Sequence, residues 1–135
     1  MIDHISISVR DLEATGRFYQ TVLGTLGYER LRVQADTLGF GKRYPEFWLN
    51  HRPGMAPVPT DSGHHVCLRA ADAKAVETFH AAALRAGGSC DGPPGLRPEY
   101  SDGYYAAFIR DPEGNRIEAV TFLNRAATAS PAAHN

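Results

Sequence analysis

The sequence lacks several features that would assign it to a specialised class of protein. It has only two cysteines, Cys67 and Cys90, which is too few for a disulfide framework, so we expect both to stay reduced. A formal net charge of −1 gives no electrostatic reason to bind nucleic acid or an anionic membrane. No apolar run approaches the roughly 20 residues that span a bilayer, and Met1–His4 lacks the pattern of a secretory signal. We therefore expect a cytoplasmic protein whose partner is a small molecule.

What the sequence does contain is an internal repeat. His65 follows His4 by 61 residues, and Asp72 follows Asp11 by the same interval. Each copy begins with a strand-like run, passes the aspartate, enters a helical stretch and ends at glycine. Two copies of one supersecondary unit thus place a histidine at the same point of their first strand. Two such histidines, brought together, are typical of a metal site.

Hydrophobic periodicity predicts the same order of elements in both halves. Alternating apolar and polar residues indicate strands, and an apolar stripe with helical spacing indicates helices. In the first half the pattern predicts a strand over 2–9, a helix over 12–26 capped by Asp11, and strands over 28–34, 36–40 and 46–50. In the second half it predicts a strand over 65–70, a helix over 73–86, an extended piece over 89–91, a long loop over 92–103, and strands over 104–110 and 115–122.

Each half is therefore predicted to be a βαβββ module, and the fold class is α+β. Module one covers residues 1–51, a proline-rich linker covers 52–62, module two covers 63–124, and the tail 125–135 is expected to be disordered. A chain of 135 residues suits a single domain, here 1–124. Pairing the modules edge to edge would roll the sheets into a cup, with the helices outside and a concave polar face inside.

The inner face of this cup gathers a candidate metal site. His4 and His65 lie on the polar faces of the two first strands, and alternation places Glu118 opposite Ile117 on the last strand. Two imidazoles and one carboxylate suit a divalent metal, with Fe(II) or Mn(II) the first choice and Zn(II) or Ni(II) as alternatives. His64 competes with His65, but strand register and the repeat favour His65.

Five further residues are candidates for the same cup. Trp48 suits an aromatic wall for a planar substrate. Tyr104 and Tyr105 alternate in direction, so one of them should point inward to hydrogen-bond a bound oxygen or relay a proton. Arg97 could meet an anionic substrate, and His51 could act as a base at the cup mouth. Each also has a purely structural interpretation as core, rim or solvated surface.

Three segments resemble the vicinal oxygen chelate superfamily, which includes glyoxalases, extradiol dioxygenases, and fosfomycin- and bleomycin-resistance proteins. They are Asp3-His4-Ile5-Ser6-Ile7, His65-Val66-Cys67-Leu68, and the ending Phe108-Ile-Arg-Asp-Pro-Glu-Gly-Asn-Arg-Ile-Glu118. The resemblance covers nearly all of residues 1–124, and the last segment is its most specific part. It implies paired βαβββ modules and metal ligation by His4, His65 and Glu118. It also implies a homodimer, with the modules paired within one chain or swapped between two.

The sequence departs from the glyoxalase pattern where module one ends. Trp48 stands at the place that matches Glu118, whereas glyoxalase-type members usually carry an acidic or amide ligand there. The remaining three ligands would leave metal positions open for two vicinal oxygens and for dioxygen. The resemblance therefore favours ring-cleaving, dioxygenase-like chemistry.

Two alternatives stay open. One is a thiol transferase or lyase of the fosfomycin-resistance type, against which the sequence shows no clear cationic cluster for a phosphonate. The other is a metal-free binding protein of the bleomycin-resistance type, in which His4 and His65 only line the cup.

Overall fold

Two copies of a strand–helix–three-strand unit make up the described part of the chain. The computed structural model describes residues 1–123; the predicted tail 125–135 and Asn124 lie outside the described residues. The first unit consists of β1 (Ile5–Val9), α1 (Leu12–Gly24), β2 (Glu29–Val33), β3 (Thr37–Gly41) and β4 (Pro45–His51). The second consists of β5 (Val66–Arg69), α2 (Ala73–Arg85), β6 (Ser89–Leu96), β7 (Tyr104–Arg110) and β8 (Arg116–Phe122). The predicted α+β fold with two βαβββ modules is confirmed.

The two sheets have the same topology. Their strand orders are β1-β4-β3-β2 and β5-β8-β7-β6, and in each the first strand pairs in parallel with the last while the other pairs are antiparallel. Over residues 1–123 the sheets do not share a strand pair. Their edge strands β1 and β5 instead line a common cleft. The modules therefore meet through side chains and loops rather than through a continuous sheet.

Both helices begin at an aspartate cap and bury one stripe. Asp11 accepts a hydrogen bond from the backbone N–H of Ala14 at 3.0 Å, and Asp72 does the same for Ala75 at 2.8 Å. These bonds satisfy backbone donors that the first helical turn leaves without a partner. The buried stripes of α1 and α2 join one core that is shared with both sheets. Neither 13-residue helix of the described chain is long and apolar enough to cross a membrane.

The turn between β7 and β8 joins the second module to the start of α1. The buried Asp111 carboxylate accepts a 2.6 Å hydrogen bond from the Tyr19 hydroxyl. Glu113 accepts backbone hydrogen bonds from Arg10 at 2.9 Å and from Asp11 at 2.8 Å. Burial raises the pKa of Asp111 above its ordinary value, although its hydrogen bonds oppose that shift. We call this contact between the modules the intermodule joint.

One predicted element is wrong. Residues 92–96 were expected in a long loop, but they continue β6, which pairs with β7 from Ser89 to Leu96. Pro93 and Pro94 fall in an irregular stretch of this ladder, between the Gly92 and Gly95 pairs. Proline lacks a backbone donor but is tolerated on an edge strand, which β6 is. The remaining connection to β7 is therefore much shorter than the sequence suggests.

Candidate functional site

The internal repeat places Trp48 and Glu118 at equivalent positions. In the first sheet Ser6 lies opposite Trp48, and in the second Cys67 lies opposite Glu118. Ser6 and Cys67 are separated by the repeat interval of 61 residues. The first sheet thus presents the Trp48 ring on β4, where the second sheet presents the Glu118 carboxylate on the equivalent strand β8.

Glu118 is the centre of a polar cluster on the second sheet. Glu118 is only 2% exposed, although its side chain ends in a carboxylate. His65 Nε2 lies 2.9 Å from Glu118 Oε1, and the Tyr104 hydroxyl donates a hydrogen bond to Oε2. Cys67 Sγ lies 4.0 Å from the Tyr104 hydroxyl. We call His65, Cys67, Tyr104 and Glu118 the Glu118 cluster.

The surroundings keep two members of this cluster protonated. Desolvation, followed by the hydrogen bond to Glu118, raises the pKa of Tyr104 far above its ordinary value. The Cys67 residue is exposed as a whole, but its thiol faces the buried carboxylate. Desolvation first and repulsion from Glu118 second raise the pKa of Cys67 to about 12. Tyr104 is therefore a hydrogen-bond donor, and Cys67 is a poor nucleophile at neutral pH.

His4 lies across a cleft from this cluster. It precedes β1, its side chain is 51% exposed, and its Nδ1 lies 2.7 Å from the Asp3 carboxylate. His4, His65 and Cys67 line one cleft of about 430 Å³, together with Glu46. Within residues 1–123 no three histidine, cysteine or acidic side chains are arranged to hold a metal ion. The structure thus joins His65 directly to Glu118 and places His4 nearby without bringing it into contact.

The donors that do converge fit a divalent metal in type and spacing. His65 offers an imidazole nitrogen and Glu118 a carboxylate oxygen, separated by 2.9 Å. Two neighbouring ligands, each about 2.1 Å from one metal ion, are themselves about 3.0–3.4 Å apart for angles at the metal between 90° and the tetrahedral value. A buried carboxylate also favours a cation, because a charge removed from water is costly without an opposite charge. Two donors alone do not make a strong site, so a third is required.

The structure separates the two tyrosine candidates. Tyr104 points to the Glu118 cluster, whereas the Tyr105 hydroxyl donates to Glu77 on α2 at 2.8 Å. His51 also lies outside the cluster, because its Nε2 is 3.1 Å from the Arg10 carbonyl, in a separate pocket near the start of α1. The sheet pleat explains the tyrosines, since consecutive residues of a strand face opposite sides.

Of the other two candidates, Trp48 packs against a glycine and Arg97 packs against an aromatic ring. Trp48 is partly buried against Gly39, where an added Cβ would come within 2.9 Å of its ring. The guanidinium of Arg97 lies 5.5 Å from the centre of the Phe108 ring and donates to the Pro93 carbonyl at 2.6 Å. Phe108 in turn lies 6.2 Å, ring to ring, from His65. The Arg97 side chain is therefore held against β6, beside the cluster.

Sequence reasoning missed one side chain on this face. Arg69 follows Cys67 by two residues on β5, so the two share a face of the strand. Its guanidinium carbon lies 4.7 Å from the centre of the Phe122 ring, and that ring makes an edge contact with Tyr104 at 5.3 Å. The alternation of His65, Cys67 and Arg69 in the sequence is the signal that could have identified it.

Comparisons with known proteins agree with this geometry. A family model described as the glyoxalase/bleomycin resistance protein/dioxygenase superfamily matches residues 1–119. A crystal structure of a glyoxalase/bleomycin resistance protein from Albidiferax ferrireducens T118 is 30% identical, with a TM-score of 0.74, and the match covers 87% of this chain and 95% of that one. An enzyme of the glyoxalase/bleomycin resistance protein/dioxygenase family from Burkholderia phytofirmans PsJN is 19% identical, with a TM-score of 0.71 and coverage of 90% and 98%. No curated protein matches the chain.

Paired βαβββ modules with a polar face on each sheet define a class of small modular proteins. The chain belongs to the glyoxalase/bleomycin resistance protein/dioxygenase superfamily, which is the vicinal oxygen chelate superfamily expected from the sequence. Members share this fold across different activities, so the reaction has to be argued from the site.

Proposed function

We propose that the protein is a metal-dependent enzyme that acts on a small substrate with vicinal oxygens, by ring-cleaving, dioxygenase-like chemistry. The observation that carries the proposal is the buried Glu118 carboxylate, which is joined to the His65 imidazole at 2.9 Å. Over residues 1–123 neither lysine nor arginine pairs with Glu118. A buried carboxylate whose neighbours are an imidazole and a neutral hydroxyl suits a metal ion as its counter-charge.

His65 and Glu118 would hold the metal, and His4 would supply the third donor. His4 of the same chain already lines the cleft that contains His65. In a homodimer with swapped modules, His4 would come from the other chain. With Fe(II) or Mn(II) bound, the metal would supply a Lewis-acidic centre with open positions for two vicinal oxygens.

The remaining side chains would orient the carboxylate and shape the pocket. The Tyr104 hydroxyl fixes one Glu118 oxygen, which leaves the other oxygen directed at His65. Such supporting hydrogen bonds hold a metal ligand in one orientation. Phe108 and Phe122 flank the cluster on the same sheet face and supply an apolar surface for a planar substrate.

Metal analysis and oxygen uptake test the proposal together. Purified protein, reconstituted with Fe(II) or Mn(II) without air, should bind one metal per site and consume dioxygen when catechol is added. His65→Ala and Glu118→Gln should each lose metal and oxygen uptake, whereas His64→Ala, at the neighbouring exposed histidine, should retain both. Full metal content in the His65→Ala and Glu118→Gln variants would show that the assigned ligands are wrong.

One observation favours a second candidate, a metal-free small-ligand binding protein of the bleomycin-resistance type. In the described residues His65 and Glu118 satisfy one another, and no third donor completes a metal site. In that function a flat ligand would change the fluorescence of Trp48, the one tryptophan of the chain, and a chelator would have no effect. Loss of ligand binding on addition of a chelator would exclude this candidate.

A further inference from the structure

Arg69 carries a positive charge onto the face that contains the Glu118 cluster. Cys67, two residues earlier, lies opposite Glu118, and Arg69 lies opposite Val120. The Arg69 guanidinium covers the Phe122 ring at 4.7 Å, and that ring contacts Tyr104, which is bonded to Glu118. An unbroken series of contacts therefore connects the guanidinium to the buried carboxylate.

Among residues 1–123 Arg69 has no ion-pair partner, unlike the arginines of α1, of the intermodule joint and of β7 and β8. Those arginines are paired as follows: Arg10 with Glu113, Arg17 with Glu13, and Arg110 and Arg116 with Asp91. Arg97 donates to the Pro93 carbonyl in β6. Among residues 1–123 no carboxylate lies within ion-pair distance of Arg69, and its side chain reaches solvent.

The spacing between Arg69 and the cluster corresponds to a small molecule. Two residues along a strand advance by about 6.6–6.8 Å. Because Cys67 lies opposite Glu118, the Arg69 backbone is displaced from the Glu118 position by about that length along β5. A single aromatic ring that bears oxygens at one end and an acid group at the other spans a comparable distance.

We propose that Arg69 binds the carboxylate of an aromatic acid, whose vicinal oxygens lie at His65 and Glu118. The assignment of the oxygens rests on the proposed function, whereas the assignment of the carboxylate rests on Arg69 alone. The planar guanidinium matches a carboxylate with two parallel hydrogen bonds. Contact with the Phe122 ring restricts the guanidinium, so less freedom is lost when the acid binds.

The test compares an acid with its neutral counterpart. Binding of 3,4-dihydroxybenzoate and of catechol is measured by calorimetry on wild-type protein and on Arg69→Gln, each with and without Fe(II) under anaerobic conditions. Arg69→Gln should weaken binding of the acid by about 10–100-fold, as expected for a lost charge-assisted pair, and should leave catechol unchanged. Arg85→Gln, at the exposed end of α2, is the matched control and should affect neither ligand.

The outcomes separate this inference from the proposed function. If the acid binds through Arg69 but no metal binds at His65 and Glu118, the carboxylate assignment stands and the metal-dependent function fails. If metal binds and catechol is oxidised, while Arg69→Gln leaves acid binding unchanged, the inference fails and the function stands. Equal weakening of both ligands, no binding of the acid to wild-type protein, or a change in oligomeric mass as the only effect of Arg69→Gln would each overturn the inference.

Discussion

Replacing Glu113 with glutamine should weaken the intermodule joint by an amount that depends on pH. The Glu113 side chain is 8% exposed, and its two carboxylate oxygens accept three hydrogen bonds. Two come from the backbone N–H groups of Arg10 and Asp11, and the third, at 3.2 Å, comes from Arg10 Nε. A glutamine in the same place keeps one acceptor oxygen but turns an N–H group towards a backbone donor.

The expected cost of Glu113→Gln follows from these bonds. A hydrogen bond to a charged group contributes about 1.5–3 kcal/mol, and a donor left without a partner adds to the loss. Water reaches part of the joint, because Arg10 and Asp11 are exposed, so we expect a total loss of about 2–3 kcal/mol at neutral pH. For a chain of this size that loss lowers Tm by about 6–12 °C.

The loss should shrink in acid. Burial alone would raise the pKa of Glu113, but the N–H groups of Arg10 and Asp11 outweigh it and hold the pKa below its ordinary value. The folded-state pKa is therefore lower than the unfolded one. The stabilisation is complete above the unfolded pKa of about 4.3 and is lost as the pH falls through the folded value. The pKa of Asp111 is raised instead of lowered, but Asp111 is present in both proteins, so its contribution cancels when their stabilities are compared.

Urea unfolding followed by circular dichroism measures the effect, at neutral pH and near pH 3 at matched salt. The matched control is Glu13→Gln, which removes an ion pair between Arg17 and Glu13, a residue in the first turn of α1. That carboxylate is 89% exposed, so we expect a loss below about 0.5 kcal/mol. Equal stability of Glu113→Gln and wild type at neutral pH, or a difference that persists unchanged in acid, would refute the assigned role of the carboxylate.

Two further predictions concern the polar faces of the two sheets. Tyr104→Phe removes the donor that fixes one Glu118 oxygen, and it should lower metal affinity about 10–100-fold in a calorimetric titration. Tyr105→Phe, on the helix side, should leave metal affinity unchanged. Equal metal affinities in the two variants would contradict the orienting role of Tyr104. Gly39→Ala places a Cβ within 2.9 Å of the Trp48 ring and should destabilise the fold by about 1–3 kcal/mol with a shift of tryptophan emission. Gly54→Ala, with no atom within 4 Å of the added Cβ, is its control, and an unshifted Gly39→Ala spectrum would count against the contact.

Local chemistry was sufficient to predict much of the fold. Asp11 and Asp72 cap their helices as expected, and β7 has the predicted bounds, because these features depend on short stretches of chain. The β6 strand could not be predicted in the same way. Pro93 and Pro94 argue against a strand unless it is known to lie at a sheet edge, and only the complete topology supplies that information.

The candidate site also combines features that local sequence predicts with features that depend on the complete fold. Alternation predicts that only one of Tyr104 and Tyr105 faces the cup, but choosing between them requires knowledge of which face the helix covers. The position of His4 relative to His65 depends on how the modules meet, which is set by the contacts of Tyr19 and Glu113 with distant residues. His4, His65 and Glu118 as metal ligands therefore stay a prediction.

The equivalence of Trp48 and Glu118 has an evolutionary consequence. A duplicated module provides a second copy of every position, so one copy can retain a functional group while the other diverges. Here the divergent copy is coupled to its neighbour, because the Trp48 ring occupies the space that a side chain at position 39 would need. A small acidic residue at position 48 would leave that space empty beside Gly39. The two positions are therefore expected to change together, so that an acidic side chain at position 48 would be accompanied by a larger residue at position 39.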